Sequence, residues 1–300
     1  MKRRNDQSKI GRYVSEMGKA DFEAAYCEAM KLLPEPQETM DIETSFGSVR
    51  SYLFTKPENQ GKEPLLLLPG RSASTPMWAP NLHGLLKERP VFTLDLLGEP
   101  GMSRQSKPIR SSEDQASWLS DALSSLGVRA VHLVGVSIGG WTAVNLARYT
   151  PSHLASICLL DPVFVFAPLS LKMIAASIPA AVPIVPSFIR WKMLSYISGG
   201  AKADEREPIA RLIELGMRNF KLSLPAPVLI SKEQTRTIDV PILALMAKNS
   251  AMHDSEKAVR ETSFYAPHIQ IECWPNASHA INGEFPDEVN DRILAFINQL

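Results

Sequence analysis

Ser137 stands in Gly135-Val136-Ser137-Ile138-Gly139, directly after the apolar run Val131-His132-Leu133-Val134 and before a helix-like stretch from Trp141 to Tyr149. A serine between two glycines on a strand-to-helix turn is a nucleophile elbow. The turn is sharp, and a side chain at either flanking position would collide with a neighbouring element. It pushes the hydroxyl out at the carboxyl end of the sheet, where the free N–H groups opening the next helix also point. A serine hydroxyl is a poor nucleophile at neutral pH and needs an adjacent base. Among the six histidines, His279 is the one placed for that role. It follows a strand end in the small-residue loop Asn276-Ala277-Ser278-His279, shortly before a helix. His83 and His153 read as surface residues, His132 lies inside a strand, and His268 is a turn residue.

Composition narrows the field. Three hundred residues, 45% of them apolar, are enough to bury a substantial core. The formal net charge is zero, which gives no sign of a nucleic-acid surface. The basic start Lys2-Arg3-Arg4 is followed by polar residues, so it does not read as a secretory signal. The longest apolar stretches, such as Ile178 to Pro186, are broken by prolines, so no membrane span is expected. Cys27, Cys158 and Cys273 are widely spaced and odd in number. That spacing disfavours a disulfide framework or a metal knuckle and points to a reducing, cytoplasmic setting. Asn276-Ala277-Ser278 matches a glycosylation acceptor, a match without meaning in that setting.

The elements that must position Ser137 and His279 follow from periodicity. Residues 1–40 read as a helical lead-in, with Phe22, Ala25, Tyr26, Met30 and Leu33 on one stripe. Ile42 to Phe54 alternates around Phe46-Gly47-Ser48, as a β-hairpin does. Buried strands are expected at Leu65–Leu68, Val91–Asp95, Val131–Val136, Ile157–Leu160, Ile242–Met246 and Ile269–Cys273. Helices are expected at Met77–Glu88, Ser112–Leu126, Ile138–Tyr149, Ser255–Phe264 and Pro286–Asn298. The alternation predicts an α/β fold: a mostly parallel sheet with helices on both faces. Residues 163–236 break the rhythm. They carry no convincing strand and are rich in apolar side chains (Met173, Phe188, Trp191, Met193, Tyr196, Met217, Phe220). A stretch this long is a helical insertion and not a loop. Most of these side chains should form the insertion's own core, with a minority lining an apolar pocket over Ser137.

Three more segments end strands: Leu68-Pro69-Gly70-Arg71-Ser72, Asp95 to Ser103, and the His279 loop. Together with the elbow they make residues 40–300 resemble the α/β-hydrolase superfamily, and within it the lid-bearing carboxylesterase-like members. The resemblance implies an eight-stranded sheet and a helical cap inserted after the sixth strand. Residues 41–162 and 237–300 would be the core and 163–236 the lid. It also implies a Ser-His-acid triad of Ser137, His279 and a carboxylate, in the superfamily's chain order. An oxyanion hole would come from the backbone N–H groups of Ile138 and Arg71, with Ser72 next in line. The chain departs from the family at this corner, carrying Pro69-Gly70 where a bracing histidine precedes the glycine. The Arg71 side chain would be solvated or hold a substrate carboxylate.

The acid has two candidates. The family's usual position follows the penultimate strand, and the matching residues here are Ala247-Lys248-Asn249-Ser250, with serine in place of the carboxylate. Asp161, at the end of Leu159-Leu160-Asp161-Pro162, matches the strand end that supplies the acid in some relatives. Asp254 lies four residues past the usual position and also suits an N-cap. Asp161 is preferred of the two. His253 lies close to this loop and has no clear assignment. The activity implied is cytosolic hydrolysis of a small, mostly apolar ester through an acyl-enzyme, with no metal or organic cofactor, no nucleic acid and no membrane. Peptidase, lactonase, thioesterase and perhydrolase chemistry use the same parts. A ligand-binding or sensor protein on the same fold is the rival from another class. Haloalkane dehalogenation is disfavoured, because it needs a carboxylate where the elbow has serine.

Overall fold

The computed structural model describes residues 9–180, 186–200 and 206–300. The basic start and the middle of the proline-broken run lie outside the described residues. In chain order the elements are β1 (Arg12–Tyr13), α1 (Glu16–Met30), the hairpin β2 (Glu38–Thr44) and β3 (Gly47–Phe54), β4 (Leu65–Leu68), α2 (Ala79–Leu85), β5 (Val91–Leu94) and β6 (Arg104–Gln105). There follow α3 (Ser112–Ser125), β7 (Val131–Val136), α4 (Ile138–Tyr149) and β8 (Leu154–Leu160). Between β8 and the next long strand come α5 (Leu171–Ala180), α6 (Ser187–Ile197), α7 (Pro208–Asn219), β9 (Phe220–Lys221) and α8 (Lys232–Arg236). The chain closes with β10 (Ile242–Ala247), α9 (Ser255–Tyr265), β11 (Gln270–Trp274), α10 (Ile281–Glu284) and α11 (Pro286–Ile297).

The sheet runs β11-β10-β8-β7-β4-β5-β3-β2, with the short β6 paired to β3. The pairs from β11 through to β5 are parallel, and the β2–β3 hairpin closes one edge antiparallel. The mostly apolar runs of the central strands are what a sheet buried on both faces requires. All four leucines of β4 are fully buried. The period of two then splits each strand between two cores. Leu66, Leu68, Leu133, Ile157, Leu159, Ala244 and Met246 pack with α3, α4 and α9 on one face. Leu65, Leu67, Val134, Val136, Cys158, Leu160, Leu243 and Leu245 pack with α1, α2 and α11 on the other.

The strand order reverses at β4, where the chain goes first to β5 on one side and then to β7 on the other. Loops leaving the carboxyl ends of β4 and β7 diverge there and open a crevice, the usual ligand position in such sheets. Both the Gly70 corner and the Ser137 elbow lie at that point.

Two local features differ from the sequence reading. The lead-in and the insertion each contain a two-residue strand, and these pair with one another: Arg12 opposite Lys221 and Tyr13 opposite Phe220. Pairs this short leave no periodic signal in the sequence. Among the seven apolar side chains singled out in the insertion, Met173 is buried in the main core, whereas Phe188 and Tyr196 are exposed. No helix among the described residues is long and apolar enough to cross a membrane. The three cysteines are unpaired.

Candidate active site

Ser137 sits between β7 and α4 with φ 56° and ψ −116°, a backbone that L-residues avoid. Among the described residues only Ser72, Ser137, Asp161 and Phe164 combine a side chain with positive φ. Two of them begin loops at the ends of neighbouring strands. The Ser137 N–H bonds to the Leu160 carbonyl at 3.1 Å, and the Asp161 N–H to the Leu245 carbonyl at 2.8 Å. These bonds lock the ends of β7, β8 and β10 together and hold conformations that cost about 1–3 kcal/mol each in isolation. The flanking glycines are needed for space. A Cβ on Gly139 would run into the Leu68 carbonyl oxygen, and one on Gly135 would meet the backbone of Gly139 and Gly140. A Gly139→Ala protein is therefore expected to lose about 1–3 kcal/mol of stability and to have its elbow displaced. Thermal unfolding and labelling of Ser137 check this together; unchanged melting with full labelling would show that the turn has slack.

His279 Nε2 lies 2.9 Å from Ser137 Oγ, and its Nδ1 lies 2.6 Å from Asp161 Oδ2. All three residues are buried or nearly so, with Ser137 8%, His279 7% and Asp161 0% exposed. Ser278, next to the histidine, is clamped by Glu284, whose carboxylate accepts from its N–H at 2.7 Å and its hydroxyl at 2.6 Å. An ionised carboxylate only accepts hydrogen bonds, so the His279 nitrogen facing Asp161 carries a proton. The other nitrogen is then free to accept the Ser137 hydroxyl proton.

Asp161 receives three further donors, one from the last residue of β10 and two from the loop that follows it. The Ala247 N–H reaches Oδ1 at 2.9 Å, His253 Nε2 reaches Oδ1 at 3.1 Å, and the Ser250 hydroxyl reaches Oδ2 at 2.6 Å. Burial opposes ionisation of this carboxyl. The hydrogen bonds from His253 and His279, with the positive charge those rings can carry, outweigh it and hold the group well below the usual carboxylate range. Asp254, the other candidate acid, is engaged elsewhere. It caps α9, its side chain accepting the Lys257 N–H at 3.0 Å.

The Gly70 corner approaches the elbow closely, its Cβ position 3.7 Å from Ser137 Cβ. Among the described residues the backbone N–H groups of Arg71 and Ile138 have no acceptor in the protein. Both residues line a narrow pocket beside the elbow, in which Leu96, Leu97, Trp118 and Trp141 stand with the polar Glu99, Gln115 and Thr142. The insertion contributes Leu224, Pro225 and Pro227 to that pocket. The Arg71 guanidinium lies 3.4 Å from the buried Glu99 carboxylate, whose second oxygen accepts the Ser72 N–H at 3.2 Å. Glu99 thus ties down a corner that has no histidine.

Sequence reasoning missed Glu99, Glu284 and the bonding of Ser250 and His253. Two of them left a trace, Ser250 as the serine standing where relatives place a carboxylate and His253 as the histidine beside that loop. His132 is buried with Nδ1 2.8 Å from Ser156 Oγ, a packed strand histidine. No cluster of three or more metal-ligating side chains occurs among the described residues.

A model of the α/β hydrolase family matches residues 65–292. The chain is 27% identical over 275 residues to an uncharacterized carboxylesterase, nap, of Bacillus subtilis (strain 168), covering 91% of each chain. It is 27% identical over 285 residues to the carboxylesterase YbfK of the same organism, covering 92% of this chain and 93% of that one. Its fold is similar to that of naproxen esterase (carboxylesterase NP) from Bacillus subtilis, with a TM-score of 0.86 and 24% identity across 96% of this chain and 100% of that one. The family match spans the sheet from β4 onward, including the elbow, the Asp161 turn and the His279 loop, and the chain belongs to the α/β-hydrolase family.

Proposed function

We propose that this chain is a serine carboxylesterase acting on small, mostly apolar esters. One observation carries the reading: Ser137, His279 and Asp161 form a continuous hydrogen-bonded line with spacings of 2.9 and 2.6 Å. Ser137 Oγ attacks the acyl carbon while His279 Nε2 takes its proton. The N–H groups of Ile138 and Arg71 hold the oxyanion. Collapse of the tetrahedral species expels the alcohol, which takes the proton from His279. A water then gives its proton to His279, attacks the acyl-enzyme and releases the acid, and Ser137 regains its proton. Asp161 holds the ring in the working tautomer and stabilises the imidazolium. The rival reading, a ligand-binding or sensor protein with weak or no turnover, rests on the serine at position 250 and the altered Pro69-Gly70 corner; a carboxylate beside His279 supports the hydrolase instead.

Residues 41–162 and 237–300 serve as the core, 1–40 as a lead-in and 163–236 as the lid. Close approaches support this division. A Cβ on Gly199, at the end of α6, would lie 2.8 Å from Ser278 Cβ, and one on Gly216 of α7 3.0 Å from the Ser72 carbonyl. Trp141 Nε1, on the elbow helix, donates to the Val228 carbonyl at 2.9 Å. A cytoplasmic setting belongs to the same proposal, on the three unpaired cysteines.

The test is a p-nitrophenyl acyl series. Each methylene of the acyl chain buried against apolar side chains is worth about 0.8 kcal/mol, or about fourfold in kcat/KM. Activity is expected to climb from acetate to short and medium chains and then fall as the pocket fills. A flat profile, or a preference for charged acyl groups, would contradict an apolar acyl pocket.

A further inference from the structure

The loop that follows β10 supplies the acid in most relatives of this fold, yet here that loop and the last residue of β10 supply three donors to an acid on the neighbouring strand. Ala247, Ser250 and His253 all lie in or next to that loop, and all bond to Asp161. With His279 they give each carboxylate oxygen two donors. A carboxylate has about four lone-pair sites, so this one is saturated. Its plane cannot turn without breaking bonds on both oxygens. We propose that His253 is a positioning residue of the hydrolytic reaction, fixing the Asp161 carboxylate so that Oδ2 stays aimed at His279 Nδ1. The proposal rests on the reading of Asp161 as the acid.

The structure separates this role from simple filling of space. The His253 side chain is 1% exposed, and its Nε2 is 3.1 Å from Asp161 Oδ1. Its other ring nitrogen, Nδ1, is buried and has no partner among the described residues. An orphaned buried polar atom costs stability, and an apolar residue of similar size would avoid that cost. The ring stands where one nitrogen serves Asp161 at the expense of the other. Ser250 holds Oδ2 from the same loop, so two side chains three positions apart grip both oxygens. The bond from His253 also offsets the burial of a charged group, because a carboxylate without donors in this position would favour its neutral form. A neutral Asp161 cannot stabilise the imidazolium that forms on His279.

Steady-state kinetics on the purified full-length protein with a p-nitrophenyl ester tests the proposal, using His253→Ala, His253→Asn and His253→Gln, each alone and combined with Asp161→Asn. The glutamine amide can reach Oδ1 as His253 Nε2 does, whereas the shorter asparagine amide falls short. Alanine and asparagine are expected to lower kcat by about tenfold to a hundredfold, the worth of a hydrogen bond to a charged group, with KM changed less than about threefold. Glutamine is expected to restore most of the loss. In the Asp161→Asn background the same substitutions are expected to change kcat less than about twofold, because their effect runs through the carboxylate. A purely structural role would lower both backgrounds alike and would not be rescued by glutamine, and that pattern overturns the proposal. If the alanine protein does not fold, the asparagine protein is the removal variant. Wild-type kcat in the folded Ala or Asn protein, with Asp161→Asn crippled, overturns the proposal alone. Wild-type turnover that Asp161→Asn leaves intact overturns the assignment of the acid, and the proposal with it.

Discussion

Replacing Ser137 by alanine is expected to lower ester turnover by about 10⁴-fold or more, because no other group can form the acyl-enzyme. The fold should survive. Ser137 is held at its positive φ by backbone bonds of the elbow, which alanine keeps. Only the hydroxyl contact to His279 Nε2 at 2.9 Å is lost. A single hydrogen bond is worth about 1 kcal/mol, which in a chain of this size shifts the melting temperature by about 2 °C. Kinetics and thermal unfolding on the same preparation separate the two effects. A folded alanine protein that still turns over the ester at the wild-type rate would reduce the elbow to a structural turn.

The second large effect is expected at the acid. Asparagine at position 161 keeps the shape of the side chain, but with its oxygen turned to the Ala247 N–H it presents its NH2 donor to a ring nitrogen that needs an acceptor. In serine hydrolases of known mechanism this exchange costs about 10⁴-fold in kcat through the wrong histidine tautomer. The same exchange at Asp254 is expected to change kcat and stability little. Asp254 caps α9 through the Lys257 N–H, and asparagine is as good a cap. Measuring both variants side by side makes the contrast decisive. Equal rates in the two proteins would remove Asp161 from the mechanism.

Much of this was legible in the residues, and for definite reasons. The central strands announce themselves because a doubly covered parallel sheet needs apolar runs, which β4 and β10 have unbroken and β7 has but for His132. The elbow is legible because its geometry leaves no room for a side chain at Gly135 and Gly139, two positions either side of Ser137. His279 follows from chain order and its place after a strand. The acid was the difficult part. The loop after β10 carries serine at the usual position, and a sequence does not show that β8 and β10 are adjacent or that Ser250 and His253 face Asp161. Contacts between loops are set by strand order and not by local pattern, so Glu99 and Glu284 were equally silent. The insertion was partly legible, for a different reason. Apolar side chains in short helices do not reveal which face they turn inward, and Phe188 and Tyr196 are exposed, while Leu224 and two prolines line the pocket.

The most direct test of the central claim is covalent labelling with a fluorophosphonate, followed by mass mapping of the modified peptide. The reagent reacts only with a serine activated by a neighbouring base and faced by oxyanion donors. The geometry here predicts stoichiometric modification of Ser137, with turnover lost in proportion, and little or no labelling in the His279→Ala protein. An unmodified Ser137 in protein that still hydrolyses esters, or a label on another residue, would contradict the account.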